Sequence, residues 1–169
     1  STTEAGGTAT FTVNLKSQPS ANVSIAISSS DTTEGTVSPS SIMFTSSNWS
    51  TAQTVTVTGA DDTAVDGNQG YTIVLGVASS SDSNYSGLDP ADVSVSNTDD
   101  DTPGITINSP GDNTTESGGS FTFTTKLNSQ PSSDVTIAIS SSDTSEGSVS
   151  QSSLTFTSSN WSTEQSVLV

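Results

Sequence analysis

The chain of 169 residues is divided by one acidic stretch, Ser96-Asn97-Thr98-Asp99-Asp100-Asp101-Thr102-Pro103-Gly104. Three consecutive carboxylates repel one another unless a cation neutralises them. The sequence has a net charge of −16, and its only basic side chains are Lys16 and Lys126. A metal ion held by carboxylate oxygens is therefore the expected counter-charge at this stretch.

The acidic stretch marks the junction of an internal repeat. When the sequence is aligned with itself at an offset of 112, residues 1–57 match residues 113–169, and 39 of the 57 pairs are identical. Thr2-Thr3-Glu4 recurs as Thr114-Thr115-Glu116, which fixes the register between the copies. The chain is therefore a tandem array of two related units.

Short β-strands are predicted throughout both units, because β-branched residues alternate with small polar ones between turns rich in Gly, Pro, Ser, Asn and Asp. A full unit has seven predicted strands: 105–107 (present only in the second copy), 8–15, 22–28, 36–44 as one bulged strand, 53–58, 70–77 and 91–97. This number of short strands with such turns is typical of an Ig-like antiparallel β-sandwich. The predicted fold class is all-β, with tandem sandwiches.

Neither copy contains all seven predicted strands. Residues 1–103 have no counterpart of the first strand, and residues 104–169 end before the last two strands. We therefore predict two sandwich domains with these bounds, as part of a longer array. Strand donation between identical chains is the alternative arrangement that would cover the open strand edges.

The order of the strands sorts the acidic residues to one end of the first unit. In an antiparallel sandwich, the loops after the first, third and fifth strands lie at the same end as the exit from the seventh. Nine of the twelve acidic residues of the first unit fall there, and we call this set the acidic pole: Glu4, Asp31, Glu34, Asp61, Asp62, Asp66, Asp99, Asp100 and Asp101. The opposite end, the far pole, is formed by loops 16–21, 45–51 and 78–90. This assignment of the acidic residues to one end requires that residues 36–44 run in one direction and do not form a hairpin.

The acidic pole offers only oxygen ligands, which favour Ca²⁺ over transition metals. One Ca²⁺ takes about six to eight oxygens, so nine carboxylates leave room for two or more ions. A solvated acidic surface is the alternative interpretation. Convergence of four loops that are distant in the chain favours the metal site.

Three motifs of the first unit, Thr3-Glu4-Ala5-Gly6-Gly7-Thr8, Asp61-Asp62-x-x-x-Asp66 and Asp99-Asp100-Asp101, resemble the Calx-beta domain of sodium–calcium exchangers and long bacterial surface proteins. The resemblance implies Ca²⁺ ligands at Glu4, Asp31, Asp61, Asp62, Asp66, Asp99, Asp100 and Asp101, and at Glu116 and Asp143 in the second copy. The loop around Asp31 lacks the family's Gly-x-Asp-Tyr motif, and Glu34 is an alternative ligand there.

Composition argues against several functions. The sequence has no Cys and no His, which removes thiol nucleophiles, structural zinc and Ser-His chemistry. Its negative charge repels nucleic acid and anionic membranes, and it contains no apolar run of about 18 residues that could insert into a bilayer. Asp61 and Asp62 could in principle support glycoside hydrolysis. No aromatic set accompanies them, so we predict that the chain is not an enzyme.

These observations predict a Ca²⁺-binding structural repeat of an extracellular stalk, adhesin or filament on a bacterial surface, stiffened by calcium at the interdomain tip. The expected partners are neighbouring repeats of the same chain or identical chains in a filament. The alternative function is a carbohydrate- or cell-binding module that uses the far-pole loops with Trp49, Asn84 and Tyr85.

Overall fold

The computed structural model describes residues 1–111 and 113–169, and within these ranges it contains β-strands and no helix. Two compact units are formed, one by Ser1–Asp62 with Asp66–Asp100 and the other by Thr63–Val65 with Asp101–Val169. The strands of the first unit are β1 (Thr2–Thr3), β2 (Thr8–Val13), β3 (Val23–Ser29), β4 (Gly35–Ser38), β5 (Ser41–Phe44), β6 (Gln53–Gly59), β7 (Gln69–Leu75), β8 (Ser79–Ser80) and β9 (Val93–Thr98). Those of the second unit are β10 (Ile105–Asn108), β11 (Thr122–Leu127), β12 (Val135–Ala138), β13 (Ser153–Phe156) and β14 (Gln165–Leu168).

The first unit has two sheets in a sandwich-like arrangement. One sheet has the order β1-β9-β7-β3-β5, with β8 also paired to β3, and the other has the order β2-β6-β4. All pairs are antiparallel except β1 with β9, which is parallel, with Thr2 opposite Asn97 and Thr3 opposite Thr98. The seven predicted strands do not include β1, so this parallel pair adds to the predicted antiparallel sandwich. Two consecutive threonines are too short a segment for alternation to reveal a strand.

The core of the first unit lies between these sheets. In β3, Val23, Ile25 and Ile27 are buried while Ser24 and Ala26 between them are exposed, as expected for a strand with one apolar face. Val55 and Val57 of β6 are buried in the same cluster. Full burial of each such side chain stabilises the fold by about 1.5–3 kcal/mol, so this cluster is the main stabilising element of the unit.

The predicted bulged strand 36–44 is in fact two strands in different sheets. β4 pairs with β6, whereas β5 pairs with β3, and the chain crosses between the sheets at Pro39 and Ser40. Proline lacks the N–H that a central ladder needs, so it fits such a crossing point. β4 and β5 do not form a hairpin with each other, and Glu34, just before β4, lies at the same end as the loop after β6.

In the second unit β11 pairs with β14 and β12 with β13, as β2 pairs with β6 and β3 with β5 in the first, and β10 is an added strand next to β11. β10, β11 and β14 form one sheet, and β12 and β13 form another. Registers are conserved between the units, since Val135 lies opposite Phe156 as Val23 lies opposite Phe44. The buried core is small and consists of Leu127, Leu154, Phe156 and Val167. Residues 63–65 join this unit through a bridge between Ala64 and Gln130.

Candidate metal centre

Acidic side chains from several loops meet at one end of the first unit. Glu34, Asp62 and Asp66 each place one carboxylate oxygen within 4.8 Å of the other two, and we call these residues the Glu34 group. A second acidic group includes Glu4 and Asp99, which approach each other within the same distance. Each group could hold a metal ion. The convergence of these loops agrees with the predicted acidic pole.

Glu34 is held in place by its neighbours in the fold. It is half-buried, its backbone carbonyl accepts a hydrogen bond from the amide of Ala60 (3.0 Å), and its carboxylate accepts one from the side chain of Asn97. Burial raises the pKa of Glu34 above its ordinary value, and the nearby carboxylates, Asp66 first, raise it further, although the Asn97 bond opposes them. A cation next to this carboxylate would stabilise its charged form and lower its pKa again.

Glu4 is the most deeply buried carboxylate of the pole, with 2% of its surface exposed. Its amide donates to the carbonyl of Thr98 (3.1 Å), which extends the β1–β9 pairing, and its Oε2 accepts a hydrogen bond from the amide of Asp100 (3.3 Å). Burial raises the pKa of Glu4 from 4.5 to about 7, with further contributions from the charges of Asp62 and Asp99. In the absence of a cation, the fold therefore disfavours the charged form of Glu4.

Asp99 orders the loop between β6 and β7, which carries Asp62 and Asp66. Its Oδ2 accepts a hydrogen bond from the amide of Gly67 (2.7 Å), and its own amide donates to Oδ1 of Asn68 (3.2 Å). Gly67 has a φ of 76°, a left-handed conformation that favours glycine. Asp99 thus has a structural role as well as a carboxylate oxygen near Glu4.

A buried polar network lies beneath the acidic groups and was not predicted from the sequence. The hydroxyl of Thr2 donates to Oδ1 of Asn97 (2.9 Å) and lies 3.0 Å from the hydroxyl of Tyr71. Nδ2 of Asn97 donates to the carbonyl of Ala60 (2.9 Å). The network therefore ties β1, β7, β9 and the end of β6 together, and positions Glu34. The available signal was Asn97 itself, a polar residue that continues the alternation of Val93 and Val95.

Asp31 was predicted as a ligand, but the structure places Glu34 and not Asp31 with Asp62 and Asp66. Asp31 is exposed, and its Oδ1 accepts hydrogen bonds from the hydroxyl (2.6 Å) and the amide (2.9 Å) of Thr33. These bonds hold the pKa of Asp31 below its ordinary value. Its carboxylate therefore stabilises its own turn.

The remaining predicted ligands have varied positions. Asp61 and Asp100 are exposed and, among the described residues, lie outside both acidic groups. Asp101 is half-buried and belongs to the second unit. In that unit Glu116 is exposed, and Asp143 caps a turn through Ser145 as Asp31 does through Thr33.

At the far pole, one acidic residue has a structural role that the sequence did not indicate. Asp82 is buried and accepts hydrogen bonds from the amides of Ser20 (2.8 Å) and Asn84 (2.9 Å). The hydrogen bond from the Ser20 amide, followed by that from Asn84, holds the pKa of Asp82 below its ordinary value. The carboxylate therefore joins loop 78–90 to loop 16–21.

No family model matches the chain, and no curated protein matches it. Within residues 1–111 and 113–169 there is also no helix of the length and apolarity that a membrane span requires.

Proposed function

We propose that the chain is a Ca²⁺-binding structural repeat of the Calx-beta type, part of an extracellular stalk, adhesin or filament. The observation that carries this proposal is the convergence of two acidic groups, the Glu34 group and the one that includes Glu4 and Asp99, at one end of the first unit. All their donors are carboxylate oxygens, the ligands that Ca²⁺ prefers.

The burial of Glu4 strengthens the argument for a bound cation. A solvated acidic surface leaves its carboxylates in water, where hydration stabilises their charges. Glu4 is instead enclosed, and it is surrounded by the charges of Asp62, Asp99 and Asp66. A divalent cation would stabilise the ionised form of all of these groups at once.

The proposed role of calcium is mechanical. With ions bound, the loop between β6 and β7 and the segment after β9 would be held together, and the mutual repulsion of their carboxylates would end. Extracellular calcium modules bind with Kd values of about 10⁻⁴–10⁻³ M, so such a site would be filled outside the cell. Neighbouring repeats and identical chains are the proposed partners, and the role requires no catalysis.

Glycan binding by the far-pole loops has less support. Trp49 is half-buried and packs against the core of the first unit, so part of its ring is not available to a sugar. The hydroxyl of Tyr85 donates to the carbonyl of Ser17 and contacts the Ser17 hydroxyl. These two aromatic residues therefore act as parts of the fold.

The direct test is calorimetric titration of the whole chain with Ca²⁺. We expect Asp62→Asn and Asp66→Asn each to weaken binding at least tenfold, because each removes a charge from the Glu34 group. Asp89→Asn is the matched control, since Asp89 is exposed at the far pole. Asp82 is unsuitable as a control because its carboxylate joins two loops. Equal affinities in all three variants would rule out the proposed site.

Removal of the metal gives a second measurement. A ligand that binds only the folded state stabilises it by about 2.7 kcal/mol at a hundredfold excess over Kd. Calcium should therefore raise the melting temperature of the first unit, and chelation by EGTA should lower it again. Magnesium at the same concentration serves as the ionic-strength control, and an equal effect of both ions would contradict a specific calcium site.

A further inference from the structure

One dipeptide of the acidic pole is chemically reactive. Asp66-Gly67 is the only Asp-Gly pair in the sequence, and no Asn-Gly pair occurs. In an Asp-Gly pair the amide nitrogen of glycine can attack Cγ of the aspartate and close a succinimide ring, because glycine has no Cβ to obstruct the approach. Hydrolysis of that ring gives either aspartate or isoaspartate, in which the main chain runs through the former side chain. The sequence therefore places one candidate modification site within the Glu34 group, at Asp66.

The surroundings of this dipeptide leave room for the ring. Asp66 and Gly67 are both exposed. A Cβ placed on Gly67 would meet nothing within 4 Å, so the space beside its Cα is open. Both residues lie in the loop between β6 and β7, which begins at Gln69, and they take no part in the strand pairing. The packing of the fold therefore does not prevent the reaction.

Two hydrogen bonds hold the peptide unit between Asp66 and Gly67. Its carbonyl oxygen accepts a hydrogen bond from Nε2 of Gln69 (3.0 Å), and its N–H donates to Oδ2 of Asp99 (2.7 Å). Hydrogen bonds to a carboxylate are about twice as strong as those between neutral groups, so the bond to Asp99 is the stronger of the two. The Gly67 nitrogen must turn away from Asp99 before it can reach Cγ of Asp66. Asp99 therefore opposes the first step of the reaction.

We propose that Asp66-Gly67 is a site of isoaspartate formation and that Asp99 restrains the reaction by holding the Gly67 amide. When this hydrogen bond opens, the Gly67 nitrogen forms a bond to Cγ of Asp66, and one Cγ–O bond breaks. The departing oxygen takes the amide proton and a proton from solvent, and leaves as water. A water molecule then opens the ring at the main-chain carbonyl of residue 66, breaks its bond to nitrogen and returns one proton to solvent. The net reaction is an isomerisation and needs no further reactant.

The consequence for the metal centre rests on the proposed function. In isoaspartate the free carboxylate is attached directly to Cα, and the main chain of the loop gains one carbon. The carboxylate of residue 66 therefore moves relative to Glu34 and Asp62, with which it would hold the ion. Calcium bound to the Asp66 carboxylate would keep Cγ away from the Gly67 nitrogen and slow the reaction. A chain depleted of calcium would thus lose its binding site with time.

Peptide mapping of the whole chain tests the role of Asp99. The native chain, Asp99→Ala and Asp100→Ala are incubated at neutral pH in EGTA, and isoaspartate at residue 66 is quantified by electron-transfer fragmentation. Asp100→Ala is the matched control, because it removes an equal charge from the next residue, which is exposed. We expect isoaspartate to form at least fivefold faster in Asp99→Ala than in the other two chains. Equal rates in the three chains, or no isoaspartate at residue 66, would overturn the proposal.

Two further measurements separate the hydrogen bond from a general loss of folding. Asp99→Asn keeps an oxygen that accepts from the Gly67 amide, so its rate should lie well below that of Asp99→Ala. In urea the hydrogen bond is absent from every chain, so the native chain and Asp99→Ala should react at the same rate. An Asp99→Asn rate equal to that of Asp99→Ala, or a faster reaction of Asp99→Ala in urea, would show that the hydrogen bond is not the restraint.

Calcium provides a separate measurement, because calcium binding is itself a proposal. With saturating Ca²⁺ the native chain should form isoaspartate at least fivefold more slowly than in EGTA. Asp62→Asn, which removes a charge from the Glu34 group, should lose this protection. An unchanged rate in a chain that binds Ca²⁺ by calorimetry would overturn the protection by the metal. Absence of calcium binding would instead contradict the proposed function, and the rates in EGTA would still decide the role of Asp99.

Discussion

β3 and β12 have almost the same sequence but different surroundings. Val23 and Ile25 are 0% and 3% exposed, whereas their counterparts Val135 and Ile137 are only half-buried. β3 lies between β5 and β7, while β12 pairs with β13 alone among the described residues. Alternation determines which face of a strand is apolar, and the number of neighbouring strands determines how far that face is buried and how long the strand is.

The same contrast applies to charge. Glu4 and Glu116 occupy equivalent positions, yet Glu4 is enclosed and Glu116 is exposed. Glu4 is bonded to the carbonyl of Thr98 and the amide of Asp100, which belong to β9 and the segment after it. The raised pKa of Glu4 therefore comes from neighbours distant in the sequence, and not from the Thr-Thr-Glu motif that both units share.

The largest expected difference between the units is in the stability that each loses when a core side chain is truncated. Ile25→Ala should destabilise the first unit by about 2–5 kcal/mol, as usual for a fully buried isoleucine. Ile137→Ala should cost the second unit about 1 kcal/mol, since the side chain is already partly solvated. Each unit contains one tryptophan, so urea unfolding followed by fluorescence in a Trp161→Phe or Trp49→Phe background reports on one unit at a time. Equal losses would contradict the link between burial and strand neighbours.

A smaller loss is expected at the contact of β1 with the rest of the first unit. A Cβ at Gly59 would collide with the carbonyl oxygen of Thr3 and with Oδ1 of Asn97. Gly59→Ala should therefore cost about 1–3 kcal/mol, in the range of overpacked cores. Gly70→Ala is the control, because a Cβ there meets nothing within 4 Å. Comparable stability of the two variants in thermal melts would show that β1 is not packed this closely.

The melting temperature of the calcium-free chain should depend on pH through Glu4. Glu4 keeps its proton to a pH of about 7 in the folded state but releases it near 4.5 when unfolded. Its contribution to stability is therefore complete below pH 4.5 and is lost as the pH rises through 7. Melting temperatures measured in EGTA between pH 4.5 and 7.5 should show this decline. Glu4→Gln should make this decline shallower, although the raised pKa of Glu34 leaves a decline of the same sign, and Glu116→Gln, at an exposed position, is the control.

The smallest effects should be equal in the two units. Asp31 and Asp143 each accept hydrogen bonds from the residue two positions later, Thr33 and Ser145, in the same exposed turn. Asp31→Ala and Asp143→Ala should lower the urea unfolding midpoints of their own units slightly and by similar amounts, because each removes only the hydrogen bonds within its own turn. A much larger effect of Asp31→Ala would mean that this carboxylate also acts at the acidic pole.

The all-β sandwich could be predicted because its determinants are local in sequence. Valine and isoleucine alternate with small residues in β3 and β6, and this pattern places their apolar faces without knowledge of the fold. The crossing between β4 and β5 could not be predicted in the same way. Both halves of residues 36–44 have strand-forming sequences, and only their partners, β6 and β3, place them in different sheets.

The acidic pole was predictable for a similar reason, whereas its internal geometry was not. Strand order alone brings Glu34 and Asp62 to the same end of the unit. Whether Glu34 or Asp31 faces Asp62 depends on the turn between β3 and β4, where Asp31 bonds to Thr33. The buried network around Asn97 joins four strands, so no single stretch of sequence contains it.

The parallel pairing of β1 with β9 has a consequence for a chain under tension. A pull that separates residue 1 from residue 100 acts on the start of β1 and on the end of β9. Because the two strands run in the same direction, the force slides them past each other and loads their hydrogen bonds together, including the bond from the Glu4 amide to Thr98. An antiparallel pair pulled in this way would open one bond at a time. A pull between residues 1 and 100 thus loads the β1–β9 pair in shear and not one hydrogen bond at a time.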